Sequence, residues 1–112
     1  MAGIFIGNGR RTYIMANVFY DQRPDETGNV YGEGNMFTRI FQPDVAEAEL
    51  VWHRDKKDRT VRVISGVDWK FQFDNQLPFV MKVHDKFKIP KETYHRIFKG
   101  AGKLILEIEE HD

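Results

Sequence analysis

His53, Asp55, Arg59 and His95 are side chains of chemically active types, at spacings that could bring them together. Along an extended chain, side chains alternate between two faces. Val51, His53 and Asp55 therefore share one face, and Arg59, Val61 and Val63 share a face of the next extended run. If the two runs pair as a hairpin across the charged turn at Lys56-Lys57-Asp58, then His53, Asp55 and Arg59 point into one cavity. His95, a few residues after Pro90, can enter the same cavity at the start of another strand. Two chemistries are open. Two imidazoles and a carboxylate are the ligand types of the facial triad that holds non-haem Fe(II). A guanidinium instead recognises carboxylate or phosphate through its planar fork. In that second reading His53, Arg59 and His95 bind the ligand, and Trp69, Phe71 and Phe73 form the apolar wall. A structural reading stands beside both: Arg59 simply pairs with Asp55 or Asp58, and the histidines are held by internal hydrogen bonds.

The elements that must position these groups read as short strands. Ile4-Phe5-Ile6 is an apolar run closed by Gly7-Asn8-Gly9. Thr12–Tyr20 is rich in β-branched, aromatic and apolar residues. Met36–Phe41, Thr60–Ser65, Phe79–Val83, Phe87–Ile89, Ile97-Phe98 and Leu104–Ile108 are further short strands. Trp69–Phe73 alternates strictly, with Trp69, Phe71 and Phe73 on one face and Lys70 and Gln72 on the other. Ala46–Leu50 has some helix propensity, but its place directly before Val51-Trp52-His53 favours an incoming strand. Gly100-Ala101-Gly102 reads as a hairpin turn joining the last two strands. Residues 21–34 form the longest loop, a plain connection or a lid. Many short strands at even spacing, without a long helix, predict an all-β barrel or sandwich.

Composition narrows the class. A chain of 112 residues has room for one domain and one core, so residues 1–112 are read as a single domain. Hydrophobic residues at 41% and aromatics at 13% exclude a disordered chain. The formal net charge is zero, without the basic excess of a phosphate-tracking protein, so no nucleic-acid partner is expected. There is no cysteine, hence neither a disulfide framework nor a thiolate site. The start of the chain shows no basic segment followed by an apolar core, and no apolar run reaches the roughly 20 residues of a membrane helix. A cytoplasmic protein without membrane contact is the expectation.

The stretch around the four residues resembles the cupins, small antiparallel jelly-roll barrels, over roughly residues 46–109. The first cupin motif runs glycine, five residues, His-x-His, three or four residues, Glu, six residues, Gly. Here His53, Asp55, Arg59 and Gly66 fall at that spacing. The second runs glycine, five residues, Pro-x-Gly, two residues, His, three residues, Asn, and here His84, Pro90, Glu92, His95 and Lys99 take those positions. His53, Gly66, Pro90 and His95 match. Glu47 and His84 replace the leading glycines, Asp55 the second histidine, Arg59 the glutamate, and Glu92 and Lys99 depart in the second motif. The resemblance implies an all-β, antiparallel jelly-roll β-barrel with a site in its pocket. The usual cupin metal centre uses three histidines and a glutamate, and two of those histidines are present. A guanidinium at the glutamate position would repel a divalent ion, so a metal site here predicts that removing Arg59 leaves metal binding intact or tightens it.

Three functions remain open at this level. The first is a cupin that binds a small anionic molecule, a carboxylate or phosphate, through His53, Arg59 and His95. The second is an enzyme: an oxygenase with Fe, Mn, Ni or Zn held by His53, Asp55 and His95, or a metal-free isomerase or epimerase in which the histidines are acid and base. The third is a structural or interaction module that forms homodimers, with aromatics such as Phe19 and Tyr20 at the contact. His84 reads as a surface turn residue, His111 as frayed terminus, and Tyr94 as a less favoured general acid. Gly7-Asn8-Gly9-Arg10-Arg11 lacks the length and the following helix of a phosphate loop.

Overall fold

The computed structural model describes residues 5–8, 10–12, 18–23 and 35–112. The expected strand over 12–20 and the long loop over 21–34 lie largely outside the described residues. Among the described residues ten strands follow one another: β1 (Phe5–Asn8), β2 (Arg10–Thr12), β3 (Tyr20–Gln22), β4 (Met36–Phe41), β5 (Asp58–Val67), β6 (Lys70–Phe73), β7 (Phe79–Val80), β8 (Lys86–Ile89), β9 (His95–Phe98) and β10 (Ala101–His111). β1 and β2 pair with each other. The rest form a five-stranded sheet in the order β3-β4-β10-β5-β8 and a three-stranded sheet in the order β7-β6-β9. Every pairing is antiparallel.

Alternation explains how the two sheets share one core. In β10 Leu104, Leu106 and Ile108 are buried while the residues between them are only partly so. In β5 Val61 and Val63 are buried on the face that also carries Arg59. Phe37 and Phe41 of β4 join them, and Phe71 of β6 and Ile97 of β9 meet them from the smaller sheet. Removing this apolar surface from water is the main drive to fold, at about 25 cal/mol per Å². The result is an all-β antiparallel fold with a jelly-roll arrangement. No helix among the described residues is long and apolar enough to cross a membrane.

The structure corrects four local expectations. The segment around His53 is not a strand of a hairpin with β5. It forms an isolated antiparallel bridge to β9, in which His53 N–H donates to His95 O at 3.0 Å and His95 N–H donates to His53 O at 2.9 Å. Residues Glu47–Glu49 form a 3₁₀ helix rather than an incoming strand, closed by Leu50 N–H to Glu47 O at 3.0 Å, and Leu50 is buried in the core. Gly100–Gly102 does not close a β9–β10 hairpin, because β9 pairs with β6 and β10 with β4 and β5. The chain there crosses between sheets, and a Cβ on Gly100 would lie 2.3 Å from the Val67 carbonyl oxygen. Only glycine permits that approach. Finally, His111 is not frayed: it pairs with Asp58 at the end of β10, and its Nε2 lies 2.9 Å from Thr60 Oγ1.

Candidate functional site

The site is assembled by three segments. β9 presents His95 at its first residue, the bridge sets His53 against it, and β5 presents Arg59 on its inward face. Asp55 follows from the bridged segment, whose course is fixed where Glu92 N–H donates to Asp55 O at 2.7 Å. The imidazoles of His53 and His95 meet edge to face, with centroids 4.2 Å apart. One donor atom from each of His53, Asp55 and His95 lies within 4.8 Å of the others, a group able to hold a metal ion. His53 is exposed, Asp55 half-buried and His95 only 2% exposed.

The backbone assigns the tautomers. A carbonyl oxygen can only accept, so His95 Nδ1–H donates to Thr93 O at 2.8 Å and His53 Nδ1–H donates to Val51 O at 3.2 Å. Each neutral ring is thereby left with a bare Nε2 lone pair, the atom a metal takes, and a backbone-held Nδ1–H is the usual support of a ligating histidine. His95 stays neutral more readily than an ordinary histidine. Burial pushes its pKa below 6.5, and the Thr93 hydrogen bond and Asp55 oppose that while His53 and Arg59 add to it.

Asp55 divides its two oxygens. Oδ1 lies 3.3 Å from Arg59 Nη1. Oδ2 lies 3.4 Å from His95 Nε2, is shielded from solvent, and has no hydrogen-bond partner. A buried, unsatisfied carboxylate oxygen is costly, and here it faces a bare imidazole nitrogen. Arg59 is held on its other side by Glu110, with Nη2 at 2.6 Å and Nε at 3.1 Å from Oε2. Part of the structural reading is therefore present, since Arg59 does pair with Asp55, but Glu110 rather than Asp58 completes the network. Asp58 instead accepts from Lys91 N–H at 2.8 Å. Glu110 was missed in the sequence. Its signal is an acidic residue at an inward end position of a strand, which gains meaning only once β10 is known to lie beside β5.

A cavity of about 420 Å³ adjoins the group. Phe41, Val61, Phe71, Ile97 and Leu106 supply apolar wall from both sheets and Leu50 from the end of the 3₁₀ helix, and His53, Asp55, Arg59, His95, Arg39 and Glu49 supply the polar groups. Of the aromatic stripe, Phe71 reaches this wall and stacks on His95 at 5.4 Å between centroids. Trp69 is fully buried in the core, its indole N–H donating to Ala101 O at 3.3 Å, and Phe73 packs edge to face on Phe71. Phe19 lines the cavity under the Arg39 guanidinium, and Tyr20 is exposed. Tyr94 is exposed beside Arg54, on the face opposite His95. His84 sits exposed in a turn at φ 81°.

No family model matches the sequence and no curated protein matches it. Solved structures do match the fold. The chain is similar to a cupin-like protein from Thermotoga maritima, with 19% identity, 81% of this chain and 67% of that chain covered, and a TM-score of 0.56. It is similar to the cupin_2 domain of an XRE family transcriptional regulator from Enterobacter cloacae, with 12% identity, 85% and 97% covered, and a TM-score of 0.58. A DMSP lyase structure gives a TM-score of 0.68 at 14% identity over 92% of this chain, which spans only 55% of that one. The chain has the cupin fold.

Proposed function

We propose that this chain binds one divalent transition-metal ion through His53, Asp55 and His95 and admits a small organic molecule to the adjoining cavity. The observation that carries the reading is Asp55 Oδ2, buried without a hydrogen-bond partner and 3.4 Å from His95 Nε2. Two lone-pair atoms held this close, with the outer nitrogen of the ring already committed to Thr93, suit a cation between them. His53 Nε2 would complete a two-histidine-one-carboxylate set, which leaves coordination positions free for a ligand. When bound, such an ion acts as a Lewis acid or a redox centre toward that ligand.

The anion reading centred on Arg59 has less support. Its guanidinium is already engaged by Asp55 and Glu110, so an incoming carboxylate or phosphate would have to displace an existing ion pair. The fold serves different kinds of protein, since the similar structures include a DMSP lyase and the cupin_2 domain of a transcriptional regulator. A cavity of about 420 Å³ with mostly apolar walls suits a compact, largely apolar molecule with one metal-binding group. Titration of Mn²⁺, Fe²⁺, Co²⁺, Ni²⁺ and Zn²⁺ against the parent and His95→Gln tests the reading. Saturable one-to-one binding that His95→Gln loses supports it, and equal behaviour of the two proteins contradicts it.

A further inference from the structure

The structure adds two residues to the proposed centre, on whose metal reading this inference rests. We infer that Arg59 and Glu110 are positioning residues: Glu110 neutralises and aims the Arg59 guanidinium, which holds Asp55 by Oδ1 and leaves Oδ2 as the oxygen offered to the cation. Arg59 and Glu110 are register partners across β5 and β10. Two nitrogens of the fork, Nε at 3.1 Å and Nη2 at 2.6 Å, converge on Glu110 Oε2. That contact fixes the plane of the fork and directs Nη1 to Asp55 Oδ1 at 3.3 Å. All three side chains are sheltered, with 12%, 22% and 12% exposure for Arg59, Glu110 and Asp55. The Phe37 ring lies 5.7 Å from the guanidinium carbon and adds a wall on one side.

This reverses the sign expected from charge alone. An isolated guanidinium would repel a divalent ion, so its removal would tighten binding. Paired with Glu110 at 2.6 Å, Arg59 contributes little net charge, and what remains is its hold on the carboxylate. Without it, Asp55 is free to rotate or to offer both oxygens, and the donor set loses its preorganisation. Lysine cannot replace the fork, because a point ammonium cannot contact both carboxylates in fixed planes.

Co²⁺ titration of the full chain, read by its ligand-field absorption and by competition with a chelator, tests the inference. Arg59→Met combined with Glu110→Gln removes the pair without leaving a charged Glu110 behind, and it frees Asp55 from its Arg59 contact. It is expected to weaken Co²⁺ binding about 10–100-fold, the usual range for a lost supporting partner, and to shift the ligand-field bands. Arg59→Lys keeps the charge and is expected to weaken binding and shift the bands as well. Glu110→Gln leaves Arg59 charged with Asp55 as its remaining carboxylate partner, so its charge bears more on the metal site, and it is expected to cost on the order of tenfold. This single change also serves if the double variant fails to fold. Variants that fold and bind Co²⁺ as tightly as the parent or more tightly, with the parent's spectrum, overturn the inference while leaving the metal reading intact. A parent that takes up no Co²⁺ overturns both.

Discussion

His95 Nε2 lies 3.4 Å from Asp55 Oδ2, and neither atom has a proton to offer the other. The imidazole proton is spent on Thr93 O, and the carboxylate oxygen has no donor within reach. A metal ion between the two atoms relieves this contact, whereas a proton on His95 Nε2 charges a ring that burial holds neutral. The two compete for the same space.

Burial of His95 fixes the direction of pH dependence. The folded pKa of His95 is lowered from 6.5, chiefly by burial. Between the folded and unfolded values the unfolded chain therefore binds more protons, and stability rises with pH. The contribution is present above the unfolded value of 6.5 and is lost as pH falls through the folded value. Metal-free protein is expected to melt at a lower temperature as pH drops through that window, and His95→Gln is expected to flatten the profile. A parent profile that is flat there, or that rises toward acid, contradicts the assignment.

His53 separates ligation from folding. Its ring is exposed and held by one backbone hydrogen bond, and the bridge to His95 uses main-chain atoms that any residue retains. His53→Ala is expected to keep the parent stability to within about 1 kcal/mol. It should still reduce metal affinity by more than about a hundredfold, since it removes a ligand rather than a supporting partner. Parallel loss of fold and metal would show that His53 acts structurally.

Phe71 joins core to site. It is 2% exposed and stacks on His95 at 5.4 Å. Phe71→Ala is expected to cost about 3–5 kcal/mol by the usual loss of burial plus a cavity. Phe71→Leu should cost less and leave His95 in place. Denaturant unfolding measures both, and a near-neutral Phe71→Ala would contradict the packing described.

Gly100 is expected to tolerate no side chain. Alanine there would bring Cβ to 2.3 Å from Val67 O and 2.4 Å from Trp69 N, both main-chain atoms that cannot step aside cheaply. Gly100→Ala is expected to destabilise by about 2–3 kcal/mol, while Gly102→Ala, with open space but a φ of +69°, should cost only about 1 kcal/mol. Equal costs at the two positions would remove the steric account of the crossing.

Much of the architecture was legible because period two is written in the residues. Phe71 and Phe73 announced one face of β6, with Trp69 just before it, and the spacing of His53, Gly66, Pro90 and His95 announced the fold. The partners of each strand were not legible. Local alternation carries no record of which edge a segment joins, so it pairs the His53 segment with that of Arg59, whereas the bridge is to His95. The same limit hid Glu110, 51 residues from the arginine it holds. His111 looked terminal in the sequence, yet β10 stays paired with β5 to that residue.

The most direct measurement is elemental analysis of the parent and the His53→Ala and Asp55→Asn variants, purified without chelator, loaded with Mn²⁺, Co²⁺ or Zn²⁺ and dialysed. The account predicts close to one equivalent of metal retained by the parent and little by either folded variant. A parent that retains none of the three metals, or variants that retain as much as the parent, would contradict a metal centre built on His53, Asp55 and His95.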